Sequence, residues 1–70
     1  MMPLIYASPG EENIIKKVGG NPDVKRHLEN LGLTRGGTAT LISVMGGNVI
    51  VKVKESRIAI DKEMAKKVMI

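Results

Sequence analysis

Two β-rich runs, residues 38–45 and 48–54, meet across Gly46-Gly47, and this spacing constrains the fold more than any other feature of the chain. A two-glycine connection is typical of a β-hairpin, because the tight turn needs a positive φ that glycine adopts without a Cβ clash. A third apolar run, residues 57–60, follows almost at once. The segment therefore predicts a small antiparallel β module, and it contains no cysteine or histidine for catalysis or metal binding.

The length and composition indicate one small domain over residues 1–70 with an aliphatic core. Seventy residues lie near the lower limit for independent folding without disulfides or metal. The chain has no Phe or Trp and one Tyr, so it lacks the aromatic side chains on which single-stranded nucleic acids usually stack. Because it has no cysteine, a disulfide framework and thiolate metal sites are excluded.

The charge balance suits a partner that carries negative charge. Eleven Lys and Arg oppose seven Asp and Glu, for a net charge of +4. Residues 36–70 hold six of the basic and three of the acidic groups, whereas residues 1–35 hold five and four. The sequence shows no signal-peptide pattern and no apolar run near the ~20 residues that span a bilayer, so a cytoplasmic location is expected.

One further strand is predicted over residues 11–18, before Gly19-Gly20. Its apolar residues break strict alternation, which favours a β-bulge or a strong bend of the kind that closes small barrels: Ile14, Ile15 and Val18. The strand is expected to contribute to a closed barrel rather than to a flat sheet.

Period-two alternation predicts which hairpin residues face the core. In the first strand one face holds Ala39, Leu41 and Ser43 and the other holds Thr38, Thr40, Ile42 and Val44, and both faces are partly apolar. In the second strand three residues point inward: Val49, Val51 and Val53. Ile58 and Ile60 continue the buried face in the third run. Three methionines are interpreted as flexible core fillers in a chain without large rings: Met45, Met64 and Met69.

A short α-helix is predicted over residues 22–31. Asn21 supplies the capping side chain and Pro22 occupies the first turn, where its missing N–H is harmless. One apolar stripe results from the helical period: Val24, Leu28 and Leu31. Gly32 suits the left-handed residue that closes a helix, and Leu33 can pack back as in a Schellman cap.

A helical turn over residues 62–67 is predicted near the C-terminus, with Asp61 as its cap. Met64 and Ala65 are expected to press on the barrel. Residues 68–70 then return as a closing strand.

The order of these elements and several short motifs resemble the FeoA family, the small ferrous iron transport protein A. The matching positions are Pro3-Leu4, Pro9-Gly10-Glu11, Leu28, Leu31-Gly32-Leu33, Gly36, Gly47, residues 49–53, residues 56–60 and Ala65. The resemblance implies a mainly β fold, an SH3-like antiparallel β-barrel with one short α-helix packed across it.

The resemblance further implies a non-enzymatic cytosolic accessory of ferrous iron uptake. Its partner would be the cytosolic region of a large membrane transporter that carries a GTP-binding domain, with membrane contact through that partner alone. No cofactor, catalytic residue or metal site is implied. The alternative is a small-barrel nucleic-acid-binding protein, which the sequence pI near 9.7 favours and the lone aromatic disfavours.

Two sets of residues are candidates for partner binding. The end of the helix would leave an apolar groove lined by Leu31, Gly32 and Leu33. A basic outer face would present Lys52, Lys54 and Arg57, together with Lys66 and Lys67. The same lysines also have a plainer role, because charges on an exposed strand discourage edge pairing.

Two patterns that suggest ligand binding are set aside. Asp23 and His27, one helical turn apart, would supply half of a divalent site, but a metal site needs three or four ligands and the chain has no other His or Cys. The glycine pairs lack the GxxxxGK[ST] pattern of a phosphate-binding loop. Neither a metal site nor a nucleotide site is therefore expected.

Overall fold

Six strands and two α-helices build the fold in the computed structural model, which describes residues 1–70. In chain order they are β1 (Glu12–Ile14), β2 (Lys17–Val18), α1 (Pro22–Asn30), β3 (Thr38–Met45), β4 (Asn48–Val53), β5 (Ser56–Asp61), α2 (Lys62–Ala65) and β6 (Val68–Met69). A single 3-10 turn, Leu4–Tyr6, precedes them. The mainly β prediction with one short helix is confirmed, and neither helix is long and apolar enough to cross a bilayer.

The strands form two antiparallel sheets. The larger has the order β1-β3-β4-β5, and the smaller pairs β2 with β6. The N-terminus adds to the small sheet, because Met2 and Ile70 exchange backbone hydrogen bonds of 2.9 and 2.8 Å and Pro3 bridges to Met69. The predicted closing strand is therefore held between β2 and the start of the chain.

The strand predicted over residues 11–18 is divided between the two sheets. The Ile15 N–H donates to Gly37 O beside the large sheet, and the next amide, Lys16 N–H, donates to Met69 O of the small sheet, both at 2.8 Å. Ile15 is 1% exposed at this junction. The expected bend is present, and it is sharp enough to end β1 and start β2 as separate strands.

The hairpin forms with the predicted two-glycine turn, and only Gly46 has a positive φ, 58°, as in a type II′ turn. Its register shifts between Leu41 and Ser43, so that Val44 pairs with the fully buried Val49. The prediction that Ser43 continues the face of Leu41 is wrong, because a β-bulge inserts one residue and reverses the alternation beyond it.

The core is one cluster of fifteen buried residues, all apolar. The three inward-facing valines of β4 are at most 3% exposed, as alternation predicts: Val49, Val51 and Val53. Met64 is half-buried against the core, as expected. Met45 is not a core filler, because it lies beside the hairpin turn and is 65% exposed.

The short helix α2 depends on Asp61, whose carboxylate accepts the Met64 N–H at 2.7 Å. The helix ends at Ala65, two residues before the predicted end.

We expect Asp61→Ala to lower the free energy of unfolding by about 1 kcal/mol, because an unpaired amide replaces a capped one. Asp61→Asn is the matched control, since an asparagine oxygen still caps. Urea unfolding of both variants measures the difference, and equal losses would contradict the capping role.

Candidate partner-binding surface

Helix α1 is positioned by a cap at each end. The Asn21 side chain accepts the Val24 N–H at 2.9 Å, and Pro22 begins the helix. Leu28 is fully buried and anchors the helix on the barrel. The helix ends at Asn30 with Leu31 as its C-cap residue, within one residue of the predicted boundary.

The C-terminal cap is a Schellman motif, as predicted. The Gly32 N–H donates to Glu29 O at 2.9 Å, and the Leu33 N–H donates to Leu28 O at 3.0 Å. Gly32 has φ +97°, and a Cβ added there would lie 2.9 Å from a methyl carbon of Val53. The cap therefore brings the end of α1 into direct contact with β4.

Burial separates the three residues that the sequence proposes for this end of the helix. Leu33 is fully buried, so its side chain supports the cap and the core. Gly32 has no side chain and lies against Val53. Leu31 is half-buried against the core, and it alone presents side-chain surface to a partner.

Three of the predicted basic residues lie on the β4–β5 hairpin. Lys52 faces Arg57 directly across the two strands, and both side chains are exposed. Lys54 is in the tight turn that joins the strands, with φ 56°. Like charges placed directly opposite each other repel, so Lys52 and Arg57 favour an anionic neighbour.

Lys66 and Lys67 do not continue this basic surface. The Lys66 Nζ lies 3.5 Å from the Glu63 Oε1 on α2 and forms an ion pair with it. The Lys67 carbonyl accepts the Gly19 N–H at 2.8 Å, which places it next to the small sheet rather than the β4–β5 hairpin. The basic face predicted from sequence is therefore divided between two parts of the molecule.

A groove of about 610 Å³ lies between the small sheet and α1, and we call it the basic groove. Its lining residues are Met1, Lys16, Lys17, Val18, Lys25, Glu29 and Arg35. Four basic side chains and one acidic side chain give the lining a net side-chain charge of +3, against +4 for the whole chain. Most of the excess charge of the protein is thus collected around one concave surface.

The four cations of the basic groove have no carboxylate partner. The single ion pair in the structure joins Lys66 to Glu63, and no other basic nitrogen lies within 4.0 Å of an acidic oxygen. Glu29, the acid of the groove, is exposed on the same helix as Lys25 without pairing to it. Unneutralised cations around a cleft attract anionic partners over a distance of several ångströms.

Sequence reasoning missed the basic groove because its residues come from separate elements. Lys16 lies in the bend between the sheets and Lys17 is the first residue of β2. Lys25 is on α1, and Arg35 is in the loop before β3. The first 35 residues are nearly balanced in charge, which hides the cluster. The adjacent pair Lys16-Lys17, next to a break in the apolar pattern, is the one local signal that pointed to it.

Asp23 and His27 lie exposed on α1. No group of three or more His, Cys, Asp or Glu side chains is arranged to hold a metal ion.

A family model and a related protein both place this chain in the same family. Residues 2–70 match the family model described as FeoA domain. A protein of Methanocaldococcus jannaschii that is provisionally named Fe(2+) transport protein A is 36% identical over 70 residues, which are 100% of this chain and 85% of that protein.

Solved structures of similar proteins share the fold. The crystal structure of an iron uptake regulatory protein (FeoA) superposes with a TM-score of 0.85 at 33% identity, over 96% of this chain and 89% of that one. The solution structure of the FeoA protein from Chlorobium tepidum superposes with a TM-score of 0.86 at 23% identity, over 97% of this chain and 67% of that one. The structure of an FeoA-like protein from Clostridium acetobutylicum superposes with a TM-score of 0.79 at 16% identity, over 96% of this chain and 80% of that one. The SH3-like fold expected from the sequence is confirmed.

Proposed function

Because this chain belongs to the FeoA family of ferrous iron transport proteins, we propose that it is a non-enzymatic accessory protein that binds a membrane transporter. The partner is the cytosolic region of a ferrous iron transporter with a GTP-binding domain, and binding modulates uptake. The protein acts in the cytoplasm and reaches the membrane through this partner. The observation that carries the proposal is the basic groove with four unpaired cations.

The basic groove favours a protein segment rich in Asp and Glu as the bound element. Each exposed ion pair contributes up to about 1 kcal/mol, so several pairs in one groove are needed for useful affinity. Such contacts raise the association rate and weaken as salt increases, because exposed charges are screened beyond about 10 Å at 0.1 M salt. The groove is partly open to solvent, so an extended segment can lie along it.

The residues named from sequence form a second contact in this proposal. Lys52, Lys54 and Arg57 offer cations on the β4–β5 hairpin. Leu31 offers the apolar contact, and it is held in place by the cap at Gly32 and Leu33.

We expect the double variant Lys17→Glu/Lys25→Glu to bind the transporter at least about tenfold more weakly, since two attractive contacts become repulsive. The measurement is titration of isotope-labelled protein with the detergent-solubilised transporter, with and without a GTP analogue, at two salt concentrations. Arg26→Glu/Lys62→Glu is the matched control, because it changes the net charge equally and neither residue lines the groove.

Each outcome of the titration decides a different point. Equal weakening by both double variants would remove the groove as the binding site and leave only a net-charge effect. Absence of chemical-shift change with every form of the transporter would overturn direct binding. Tighter, salt-dependent binding to a mixed-sequence RNA than to the transporter would favour the nucleic-acid alternative.

A further inference from the structure

The outer edge of β5 has backbone groups that no other part of the chain pairs. β5 is the last strand of the large sheet and pairs with β4 alone. The Lys62 N–H donates to Gly47 O, which fixes the phase of the ladder. Since hydrogen-bonded and non-bonded pairs alternate in an antiparallel ladder, Ile58 and Ile60 bond to β4 while Arg57 and Ala59 direct their N–H and C=O groups outward.

This edge has few features that block pairing, because its two charged residues, Arg57 and Asp61, are of opposite sign. β5 is six residues long, has a continuous register with β4, and contains no Pro or Lys. The opposite edge strand, β1, is three residues long and ends in the bend at Ile15. The β5 edge is therefore the long, regular and unpaired edge of the molecule.

We propose that the β5 edge is a homodimerisation surface, on which the β5 strand of a second copy pairs in an antiparallel arrangement. A two-fold axis perpendicular to the sheet keeps outward residues opposite outward residues. With the axis at Ala59, Ala59 meets its own copy and Arg57 meets Asp61 of the second copy, twice. The two four-stranded sheets then form one continuous sheet of eight strands.

Side-chain chemistry selects this occupant and this register. All three outward residues are exposed in the single chain: Arg57, Ala59 and Asp61. Arg57 faces the like charge of Lys52 within the chain and has no carboxylate within 4.0 Å. The dimer supplies one, because cross-strand pairs of opposite charge are favourable. Ala59 at the axis places no charge against its own copy, and one oxygen of Asp61 stays free while the other caps α2.

A dimer built on one strand pair is small by the standards of protein interfaces, so it is reversible and concentration-dependent. None of the residues that line the basic groove belongs to β5, so the inference is independent of groove binding. Arg57 alone is shared with the second contact of the proposed function, and the dimer would occupy it.

The test combines mass with amide exchange. Across a concentration series, sedimentation is expected to show the 7.6 kDa chain shifting to twice that mass. In the same series, the Arg57 and Ala59 amides become protected from hydrogen exchange as the dimer forms. The Ile58 and Ile60 amides serve as an internal control, because they bond to β4 at every concentration.

Two variants at one position separate edge pairing from folding. Ala59→Pro removes an N–H that points away from β4, and we expect it to keep the fold and remain monomeric. Ala59→Thr retains the N–H and suits a strand, so it is expected to dimerise. Arg57→Glu is expected to weaken the dimer at low salt and to regain it partly at high salt, because repulsion from Asp61 is screened.

The proposal is overturned if the wild-type chain keeps a mass of 7.6 kDa with rapid exchange at Arg57 and Ala59 up to its solubility limit. It is also overturned if a folded Ala59→Pro variant dimerises as well as Ala59→Thr.

Discussion

Replacement of Gly32 by alanine is expected to lower the free energy of unfolding by about 2 to 5 kcal/mol. The residue has φ +97°, which costs an L-residue about 1 to 2 kcal/mol. The new Cβ also meets a Val53 methyl at 2.9 Å, and overpacking of this kind costs about 1 to 3 kcal/mol. A domain of this length has a total stability of about 4 to 10 kcal/mol, so the loss is severe.

Two comparisons separate the backbone cost of Gly32→Ala from the cost of the contact with Val53. Gly36 has φ +88° and nothing within 4 Å of an added Cβ, so Gly36→Ala pays the backbone cost alone. In a Val53→Ala background the Gly32→Ala cost is expected to fall to the level of Gly36→Ala, because the contact is removed. Urea unfolding of the full cycle measures both. If Gly32→Ala and Gly36→Ala destabilise equally in the wild-type background, the contact with Val53 has no energetic role.

The Leu28→Ala variant is expected to lose about 3 to 5 kcal/mol and to populate the unfolded state at ambient temperature. Leu28 is fully buried in a core of fifteen apolar residues, so its truncation removes apolar burial and leaves a cavity. Its loss also releases the apolar face of α1, and with it one wall of the basic groove.

Leu31→Ala is the matched control, because it makes the same chemical change on the same helix at a half-buried position. We expect it to cost less than half as much as Leu28→Ala, measured by thermal and urea unfolding. Similar losses at the two positions would mean that the helix is held by its caps rather than by burial of Leu28.

Local signals predicted much of the fold. Asn21 and Asp61 accept the capping hydrogen bonds that their residue types suggest, and Gly32 takes the expected left-handed conformation. These predictions succeed because a cap or tight turn is decided by a few neighbouring residues. The FeoA resemblance supplied the SH3-like topology, which no local pattern contains.

The candidate site was less predictable. Leu33 was proposed for a partner surface, but its side chain is fully buried. Lys16 and Lys17 were not named, although they line the basic groove with Lys25 and Arg35. The surface charge pattern depends on which strands pair. Here the sharp bend between β1 and β2 sets the pairing of β2 and thereby places Lys16 and Lys17 beside α1.

The sequence by itself determined the hairpin, the two helix caps, the aliphatic core and the family, because each depends on residue type and short spacing or on the whole pattern of motifs. Tertiary structure alone decided the division of residues 12–18 between two sheets, the bulge after Leu41 and the gathering of four cations around one groove. It also decided that β5 has an unpaired edge. Strand pairing joins residues far apart in the chain, and that geometry is set by packing of the whole core rather than by any local preference.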